Sequence, residues 1–303
     1  MYGASRKAVG LFLLITTALI WGGSFVAQKL GMDHVGPFAF TFFTDLLAGV
    51  FLLALVLLRG LKSGWALPFS RTNIVGGAAS GVALWVGMAL QQIGIQWTTP
   101  GVSAFLTTNY VVVVPVLGLF TKRKPRPIVW VGVVLAIAGS WFLCDPAAEG
   151  AATNRLGLPL GEILSILSAF AFGAQICIVE RFMVKPDAEA ISLTCMSFFV
   201  GALLSVPFLA LPTELPLLGA HNVLAAAGAI AFCGFLSSGL ACTLQNAGQR
   251  LIAPSVAALV LSQESVFATI LGIVFLGNAL TASQIAGCAF VFAAVVVTHR
   301  ASS

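Results

Sequence analysis

The sequence has very little charge. Asp, Glu, Lys and Arg make up 8% of its 303 residues, whereas 59% are hydrophobic, and the mean hydropathy is +1.04. Such a composition excludes an ordinary soluble globular protein. We therefore expect an integral membrane protein.

Motifs for catalysis and nucleotide hydrolysis are also missing. The chain has no G-x-x-x-x-G-K, H-E-x-x-H, G-x-S-x-G or C-x-x-C motif, and its three histidines are far apart. Its six cysteines are scattered through apolar segments, as is typical of small hydrophobic residues and not of a disulfide framework. We expect no enzyme, no metal, no cofactor and no ATP-driven pumping by this chain.

Charged residues and Pro or Gly breaks divide the chain into apolar stretches of roughly 18–25 residues, long enough at about 1.5 Å per residue to cross about 30 Å of hydrocarbon. These stretches are 8–28, 37–58, 72–94, 101–121, 127–144, 158–180, 191–211, 222–246, 254–276 and 282–299. Lipid cannot satisfy an open sheet edge, so each stretch is predicted to be helical. The predicted fold is an all-α polytopic membrane protein with ten transmembrane helices.

The second half of the chain repeats motifs of the first. Gln91-Gln92 and Thr99–Ala104 reappear as Gln245-Asn246 and Ala253–Ala258, at a constant offset of 154 residues (245 minus 91). This offset predicts two five-helix repeats, at 8–144 and 158–299. Arg6-Lys7 before the first stretch also fits a signal peptide, but this stretch has a counterpart in the second repeat, so we expect an uncleaved span.

Lys and Arg predict the orientation, because they concentrate in cytoplasmic loops. Ten spans with a cytoplasmic amino terminus leave only Lys29 and Arg155 on the opposite side. The thirteen cytoplasmic positions are Arg6, Lys7, Arg59, Lys62, Arg71, Lys122, Arg123, Lys124, Arg126, Arg181, Lys185, Arg250 and Arg300. We expect a multi-pass protein of the inner (cytoplasmic) membrane with both termini in the cytoplasm. The basic stretch 122–126 is expected to meet anionic lipid headgroups and not nucleic acid.

Five spans per repeat is an odd number, so the second repeat is predicted to be inserted upside down. Inverted repeats are the architecture with which secondary transporters form two alternative states, one open to each side of the membrane. A duplication kept only for packing is the alternative interpretation.

Two polar pairs occupy matched positions near the middle of spans four and nine. Asn109-Tyr110 and Gln263-Glu264 are separated by the same 154 residues. Polar groups at mid-bilayer are costly and need a partner or a water-filled cavity. We predict that both pairs line a central substrate site, with Glu264 also a candidate for ion coupling. The alternative is a protonated Glu264 that only hydrogen-bonds an amide on a neighbouring helix.

Two further matched pairs lie at opposite ends of the bundle. Inversion places Gln91-Gln92 near the outer end of span three and Gln245-Asn246 near the inner end of span eight. This arrangement fits two gates, and it fits equally well glutamines that link helices by hydrogen bonds.

Other membrane-embedded residues have no matched partner. Asp45 lies about a third of the way into span two, and Ser197 occupies the corresponding place in the second repeat. Asp45 either couples transport to a proton or cation or forms a hydrogen bond with a nearby hydroxyl such as that of Thr44. The sequence favours neither role. Trp21 and Trp85 lie deeper than the interfacial tryptophans and are candidates to line a cavity.

Proline and glycine positions predict local features of the spans. Pro115 and Pro207 are expected to interrupt spans four and seven. Gly77 and Gly81, with Gly87 and Gly94 further along span three, predict a smooth helix face for close packing.

Several stretches resemble one known family. They are Ile20–Gln28, Gln91–Gly94, Tyr110–Pro115, Leu244–Arg250 and Ala257–Leu259. These stretches are similar to the EamA family of the drug/metabolite transporter superfamily, over essentially the whole chain. The resemblance implies a ten-helix inner-membrane permease that moves small metabolites such as amino acids, often outward, through a central cavity between the two repeats.

Four positions depart from the pattern of this family. Thr44-Asp45 stand where an Arg is common, Val102 where Lys is common, Ser265 where Pro often follows the glutamate, and Asn278 where an acid often ends span nine. These departures point to a different substrate or to an altered activity. A non-transporting membrane sensor or scaffold built on the same fold is therefore the second hypothesis.

Overall fold

The computed structural model describes residues 2–62, 69–119, 127–143, 160–277 and 279–300. Within these ranges the chain is predominantly helical, and the predicted all-α class is confirmed. The basic stretch 122–126, the whole loop 145–159 and Asn278 lie outside the described residues.

The first repeat is built from six helices. They are α1 (Tyr2–Gly31), α2 (Pro37–Lys62), α3 (Arg71–Ile95), α4 (Pro100–Thr107), α5 (Tyr110–Leu119) and α6 (Pro127–Leu143). The second repeat has the corresponding elements in the same order. They are α7 (Leu160–Met183), α8 (Ala190–Ser205), α9 (Ala220–Ala225), α10 (Ala227–Ala231), a wide π-helical segment (Phe232–Ala241), α11 (Cys242–Gln249), α12 (Pro254–Leu261), α13 (Glu264–Leu276) and α14 (Ala282–Arg300).

The lengths of these helices fit a membrane. Among the described residues, seven apolar helical stretches are long enough to cross a bilayer. Three shorter apolar helices, Trp130–Gly139, Glu264–Leu276 and Ala282–Ala294, lie in the remaining predicted spans. All ten predicted spans therefore contain an apolar helix.

Spans four and nine are each broken at the matched polar pair. The first break lies at Thr108-Asn109, between α4 and α5, and the second at Ser262-Gln263, between α12 and α13. Hydroxyl groups bind main-chain oxygens there, as Thr108 Oγ1 donates to Phe105 O at 2.6 Å. Side chains of this type compete with helical hydrogen bonds, which explains why both helices end at these residues.

The two predicted proline interruptions have different outcomes. Pro207 does mark a change, because α8 ends at Ser205 and a short 3₁₀ helix, Val206–Ala210, follows. At Pro115 the helix continues, since Pro115 lies inside α5, and the break in span four comes at Asn109; a kink at Pro115 stays a prediction. A proline near a helix start removes only one main-chain hydrogen bond, whereas the Thr-Asn pair supplies competing partners for several main-chain groups.

The two repeats exchange their first helices. α1 packs mainly against α13, α11 and the π-helical segment of the second repeat, and α7 packs mainly against α3, α4 and α5 of the first. The equivalent helices α2 and α8 pack against each other, as do α6 and α14. The repeats therefore form one interlocked bundle.

The glycine face predicted on α3 is confirmed. A Cβ atom on Gly81 would lie 2.5 Å from the main-chain oxygen of Ser197, in α8. A Cβ atom on Gly94 would lie 2.9 Å from the main-chain oxygen of Gly161, in α7. Only glycine allows α3 to approach both neighbours this closely.

Polar contacts tie the helices together at both ends of the bundle. We name the end where α1 finishes and α2 begins the Lys29 face, and the opposite end the Arg59 face. Lys29 Nζ donates to the main-chain oxygens of Ile95, Gln96 and Thr98, at 2.8, 3.2 and 3.3 Å. At the other end, Arg59 Nη1 lies 3.0 Å from Glu189 Oε1.

Candidate functional site

The structure joins the two matched polar pairs through one hydrogen bond. Tyr110 Oη donates to Glu264 Oε1 at 3.1 Å, and both side chains are almost fully buried. Tyr110 is the first residue of α5 and Glu264 the first residue of α13, so each side chain projects from a helix break. Because the two positions are equivalent in the two repeats, their contact lies on the pseudo-two-fold axis of the fold.

Apolar side chains surround this hydrogen bond. Tyr110 belongs to a buried cluster with Val114, Ile176 and Leu261, and the Trp21 ring packs against the same cluster. The cluster draws residues from α5, α7, α12 and α1, and thus from both repeats. A hydrogen bond in such surroundings is shielded from water and is stronger than an exposed one.

The other members of the two pairs lie beside the breaks. Asn109 Nδ2 donates to the main-chain oxygen of Leu106 at 2.8 Å. Gln263 Nε2 is buried and has no hydrogen-bond partner among the described residues. Both side chains are only partly buried, in contrast to Tyr110 and Glu264.

The two candidate cavity tryptophans lie in different places. Trp21 Nε1 donates to Ser237 O, in the π-helical segment, at 3.1 Å, and this contact keeps Trp21 near the central pair. Trp85 Nε1 donates to Ser205 Oγ at 2.8 Å. Trp85 also contacts Phe38 and Phe208, whose rings stack on each other with centroids 4.5 Å apart, towards the Lys29 face. The structure therefore brings Trp21, but not Trp85, to the central pair.

Most of the gate candidates link helices through hydrogen bonds. Gln91 Nε2 donates to Thr107 Oγ1 at 3.2 Å, and Asn246 Nδ2 donates to Thr194 Oγ1 at 2.7 Å. Gln245 Nε2 lies 3.3 Å from Gln175 Oε1. These contacts fit the interpretation that the side chains connect helices.

Gln92 differs from the other gate candidates. Its side chain is fully buried, and neither its amide nitrogen nor its amide oxygen has a partner among the described residues. An unpaired buried amide is costly, so this residue is not explained by helix packing.

A polar seam between α3, α4 and α7 was not predicted. Ser103 Oγ lies 3.0 Å from Ser165 Oγ, and Gln175 Nε2 lies 3.4 Å from Ser80 Oγ. Gln175 was recognisable in the sequence, because it is a polar residue in the middle of an apolar span. It stands 154 residues after Trp21, so the repeat pairs it with an aromatic residue, and the search for matched polar pairs missed it.

Asp45 is buried between α2 and α8. Its side chain is 2% exposed, and a Cβ atom on Gly201 of α8 would collide with the carboxyl group. Thr44, the hydroxyl that the sequence suggested as its partner, donates instead to the main-chain oxygens of Phe40 and Thr41.

Glu214 is a buried acid that the sequence analysis missed, because it lies in a polar connection at the Lys29 face. Its carboxylate accepts hydrogen bonds from Phe38 N at 3.1 Å and Ala39 N at 2.9 Å, and thereby caps the start of α2. Burial raises the pKa of Glu214, and these two N–H donors partly oppose the shift. The local sequence contained no signal for this contact, because the partners are about 175 residues apart.

The described residues contain no group of three or more His, Cys, Asp or Glu side chains that could hold a metal ion. The arrangement at the centre instead provides one carboxyl group, one phenol, one indole and two amides at the meeting point of two broken helices. These groups suit hydrogen bonding to a polar solute.

Comparisons with known proteins agree with this arrangement. The sequence pattern of the EamA-like transporter family matches residues 8–144 and 159–300. An uncharacterized transporter of Archaeoglobus fulgidus is 28% identical over 301 residues, covering 97% of this chain and 87% of that protein. The threonine/homoserine exporter RhtA of Escherichia coli K12 is 27% identical over 291 residues, covering 94% of this chain and 88% of RhtA. A solved crystal structure shares the fold with a TM-score of 0.71 at 17% identity, covering 99% of this chain and 98% of that one.

Proposed function

Because the chain belongs to the EamA-like transporter family, we propose that it is a secondary transporter that exports small metabolites such as amino acids. It lies in the cytoplasmic membrane with both termini in the cytoplasm, so that the Lys29 face is external. Transport proceeds by alternating access between the two inverted repeats.

The hydrogen bond between Tyr110 and Glu264 is the observation that carries this proposal. It joins equivalent residues of the two repeats at the axis that relates them, where two discontinuous helices meet. A site on this axis is bordered by equivalent helices when it is approached from either side. Relative movement of the repeats can therefore expose it first to one side and then to the other.

The chemistry of the central groups supports a zwitterionic solute. The Glu264 carboxyl group suits an ammonium group. The amino-terminal ends of α5 and α13, which carry partial positive charge, suit a carboxylate. The name of the related exporter RhtA points to threonine and homoserine as the first solutes to test.

Counterflow tests the proposal. Proteoliposomes containing the purified protein are preloaded with one unlabelled solute, and uptake of the same radiolabelled solute is followed. The panel contains L-threonine, L-homoserine and the other common amino acids. We expect faster equilibration than in empty liposomes for at least one amino acid.

Absence of counterflow for the whole panel, from protein that is monodisperse in detergent, would contradict the proposal. A stable stoichiometric partner that copurifies with such inactive protein would instead favour the sensor or scaffold.

A further inference from the structure

Asp45 is a buried acid without a partner. Oδ1 is inaccessible to solvent, and no hydrogen bond or ion pair to either carboxyl oxygen is found within the described residues. The main chain of Gly201 lies directly against this carboxyl group, where a larger residue would displace it. The contact between α2 and α8 therefore contains a space for one carboxyl group and provides nothing that neutralises its charge.

The surroundings of Asp45 are apolar, and the described part of the chain brings no cationic side chain into them. The core cluster at this contact includes Ala48, Leu52 and Phe198. The titratable groups nearest to it are the thiols of Cys195 and Cys242 in this cluster, with Glu264 beyond Cys242. Of the other elements that pack against α2, α10 and Val206–Ala210 carry no titratable side chain, the π-helical segment carries Cys233, and α3 carries only Arg71, its first residue, at the Arg59 face. Arg59, on the same helix, lies about four turns away and is paired with Glu189.

An ionised carboxylate in these surroundings would be an isolated buried charge. Transfer of such a charge from water costs far more than transfer of a neutral acid, and buried acids avoid the cost by holding a proton. While α2 and α8 are packed as in this structure, a protonated Asp45 is therefore favoured over a charged one. The proton leaves only when movement of the two helices admits water or a cationic group.

We propose that Asp45 is the proton-binding site of this transporter, and that one proton enters the cell through it for each solute molecule exported. The inference rests on the proposed function and adds the residue that carries the coupled proton. The proton is taken from water at the Lys29 face, is held on the carboxyl group, and is released to water at the Arg59 face. No other bond changes.

A proton fits this place better than a metal cation. Metal cations require several oxygen ligands, and the apolar cluster beside Asp45 supplies none. A proton requires a single carboxyl oxygen. The described residues also hold no group of acids that could bind a metal.

Asp45 occurs in one repeat only, although the two repeats share the same fold. Neither Ser197 nor Phe199, which lies 154 residues after Asp45, carries a charge, and Ser197 donates to the main-chain oxygens of Gly77 and Leu193. At about 1.5 Å per residue, Asp45 lies about 12 Å along α2 from Pro37 and about 25 Å from Lys62. It is therefore nearer to the Lys29 face, from which protons enter during export.

Asp45 also lies close to the central pair. The Trp21 ring packs against the cluster of Ala48, Leu52 and Cys242 beside Asp45 and also against the cluster that contains Tyr110. Solute bound at Glu264 is thus within range to influence the proton on Asp45, as coupling requires.

The test compares two kinds of flux in the same proteoliposomes. Counterflow needs no net proton movement, whereas accumulation against a gradient needs coupling. With the membrane potential clamped at zero, a gradient of about one pH unit supports about tenfold accumulation for one proton per solute. L-threonine, L-homoserine and any other amino acid that gives counterflow serve as probes.

Asp45→Asn keeps the shape of the neutral acid and removes the site that takes up and releases the proton. We expect this variant to retain counterflow and to lose accumulation driven by the pH gradient. Asp187→Asn, which removes an exposed carboxyl group in the loop between α7 and α8, is the matched control and should keep both fluxes. Infrared spectra at neutral pH should show a protonated carboxylic acid band that Asp45→Asn removes.

Each other outcome overturns the inference in a recognisable way. Wild-type counterflow without any response to the pH gradient, or an unchanged response in Asp45→Asn, overturns the coupling and leaves the proposed function intact. Absence of the infrared band overturns the proton site. Absence of wild-type counterflow overturns the proposed function and the coupling together. If Asp45→Asn does not fold, the coupling is tested with a pH-sensitive dye inside wild-type liposomes. Solute entry must then drive protons out and raise the internal pH, and an unchanged internal pH would overturn the coupling.

Discussion

Tyr110 donates a hydrogen bond to Glu264 at 3.1 Å, and the two residues occupy the same position in the two repeats, 154 residues apart. Equivalent residues of two repeats can touch only where both lie next to the axis that relates the repeats. Here the axis passes through a side-chain contact. One phenol and one carboxyl group therefore link the repeats at the point about which they are related.

Removing this phenol hydroxyl should weaken the link between the repeats. We expect Tyr110→Phe to lower the free energy of unfolding by about 1–3 kcal/mol, because the buried Glu264 carboxyl group loses its donor. The apparent melting temperature in detergent measures the effect. Thr16→Val removes an exposed hydroxyl group from α1 and should change stability by less than about 0.5 kcal/mol. Equal effects of the two substitutions on the melting temperature would show that the Tyr110 hydroxyl group contributes no more to stability than an exposed hydroxyl group.

Removing the central carboxyl group should affect transport more than stability. Glu264→Gln keeps an oxygen that accepts from Tyr110 but cannot bind an ammonium group as a carboxylate does. We expect counterflow to fall on the order of tenfold, which corresponds to about 1.4 kcal/mol of lost interaction with the solute. Unchanged counterflow by well-folded protein would exclude Glu264 from the solute site.

Close packing of α3 against α8 should be sensitive to a single methyl group. Gly81→Ala places a Cβ atom 2.5 Å from the main-chain oxygen of Ser197, and we expect a loss of about 1–3 kcal/mol in stability. Gly228→Ala, in α10, meets no atom within 4 Å. This control should raise stability by about 0.5–1 kcal/mol, because alanine favours a helix. A stable Gly81→Ala protein would show that α3 and α8 can separate at no cost.

The cap at the start of α2 should make stability depend on pH. The pKa of Glu214 is raised by burial above its ordinary value of 4.5. A raised pKa means that the folded state holds the proton more tightly than the unfolded state does. The stability from this group is therefore present below pH 4.5 and is lost as the pH rises through the folded-state pKa. The melting temperature of the wild type, relative to that of Glu214→Gln, should increase as the pH is lowered from 7 to 4.5.

An exposed acid with the opposite shift provides the control for this prediction. The pKa of Asp187 is lowered, chiefly by a hydrogen bond from the Thr72 side chain. The same comparison with Asp187→Asn should therefore change in the opposite direction, since the stabilisation from this group is lost as the pH falls. If the difference in melting temperature between wild type and variant changed with pH in the same way for Glu214→Gln and for Asp187→Asn, the raised pKa of Glu214 would be contradicted.

Gln92 should show a conflict between stability and function. Both polar atoms of its buried amide are unpaired, so Gln92→Leu is expected to raise stability by about 1 kcal/mol or more. If Gln92 serves as a gate, the same substitution should slow counterflow. Gln91→Leu breaks the hydrogen bond to Thr107 and should lower stability instead. A Gln92→Leu protein that is more stable and fully active would leave the residue without a role in transport.

Tyr110 and Glu264 show how much of the site could be predicted from the sequence. The repeat offset matched Tyr110 to Glu264, and their depth in the spans indicated a buried polar centre. The alternative kept open for Glu264 was a hydrogen bond to an amide, whereas its partner is the phenol of its own counterpart. The offset relates two positions in the chain, and it contains no information on whether the axis brings them together.

The membrane class, the ten apolar spans and the predicted orientation can be read from local composition, because hydrocarbon requires apolar helices and basic residues are held in the cytoplasm. The duplication can be read from the 154-residue repeat. The two helix breaks, the exchange of α1 and α7, the cap that Glu214 forms on α2, and the isolation of Asp45 beside Gly201 became visible in the folded bundle. Each of these depends on which surfaces meet across long stretches of chain, and that choice is made by the packing of the whole bundle.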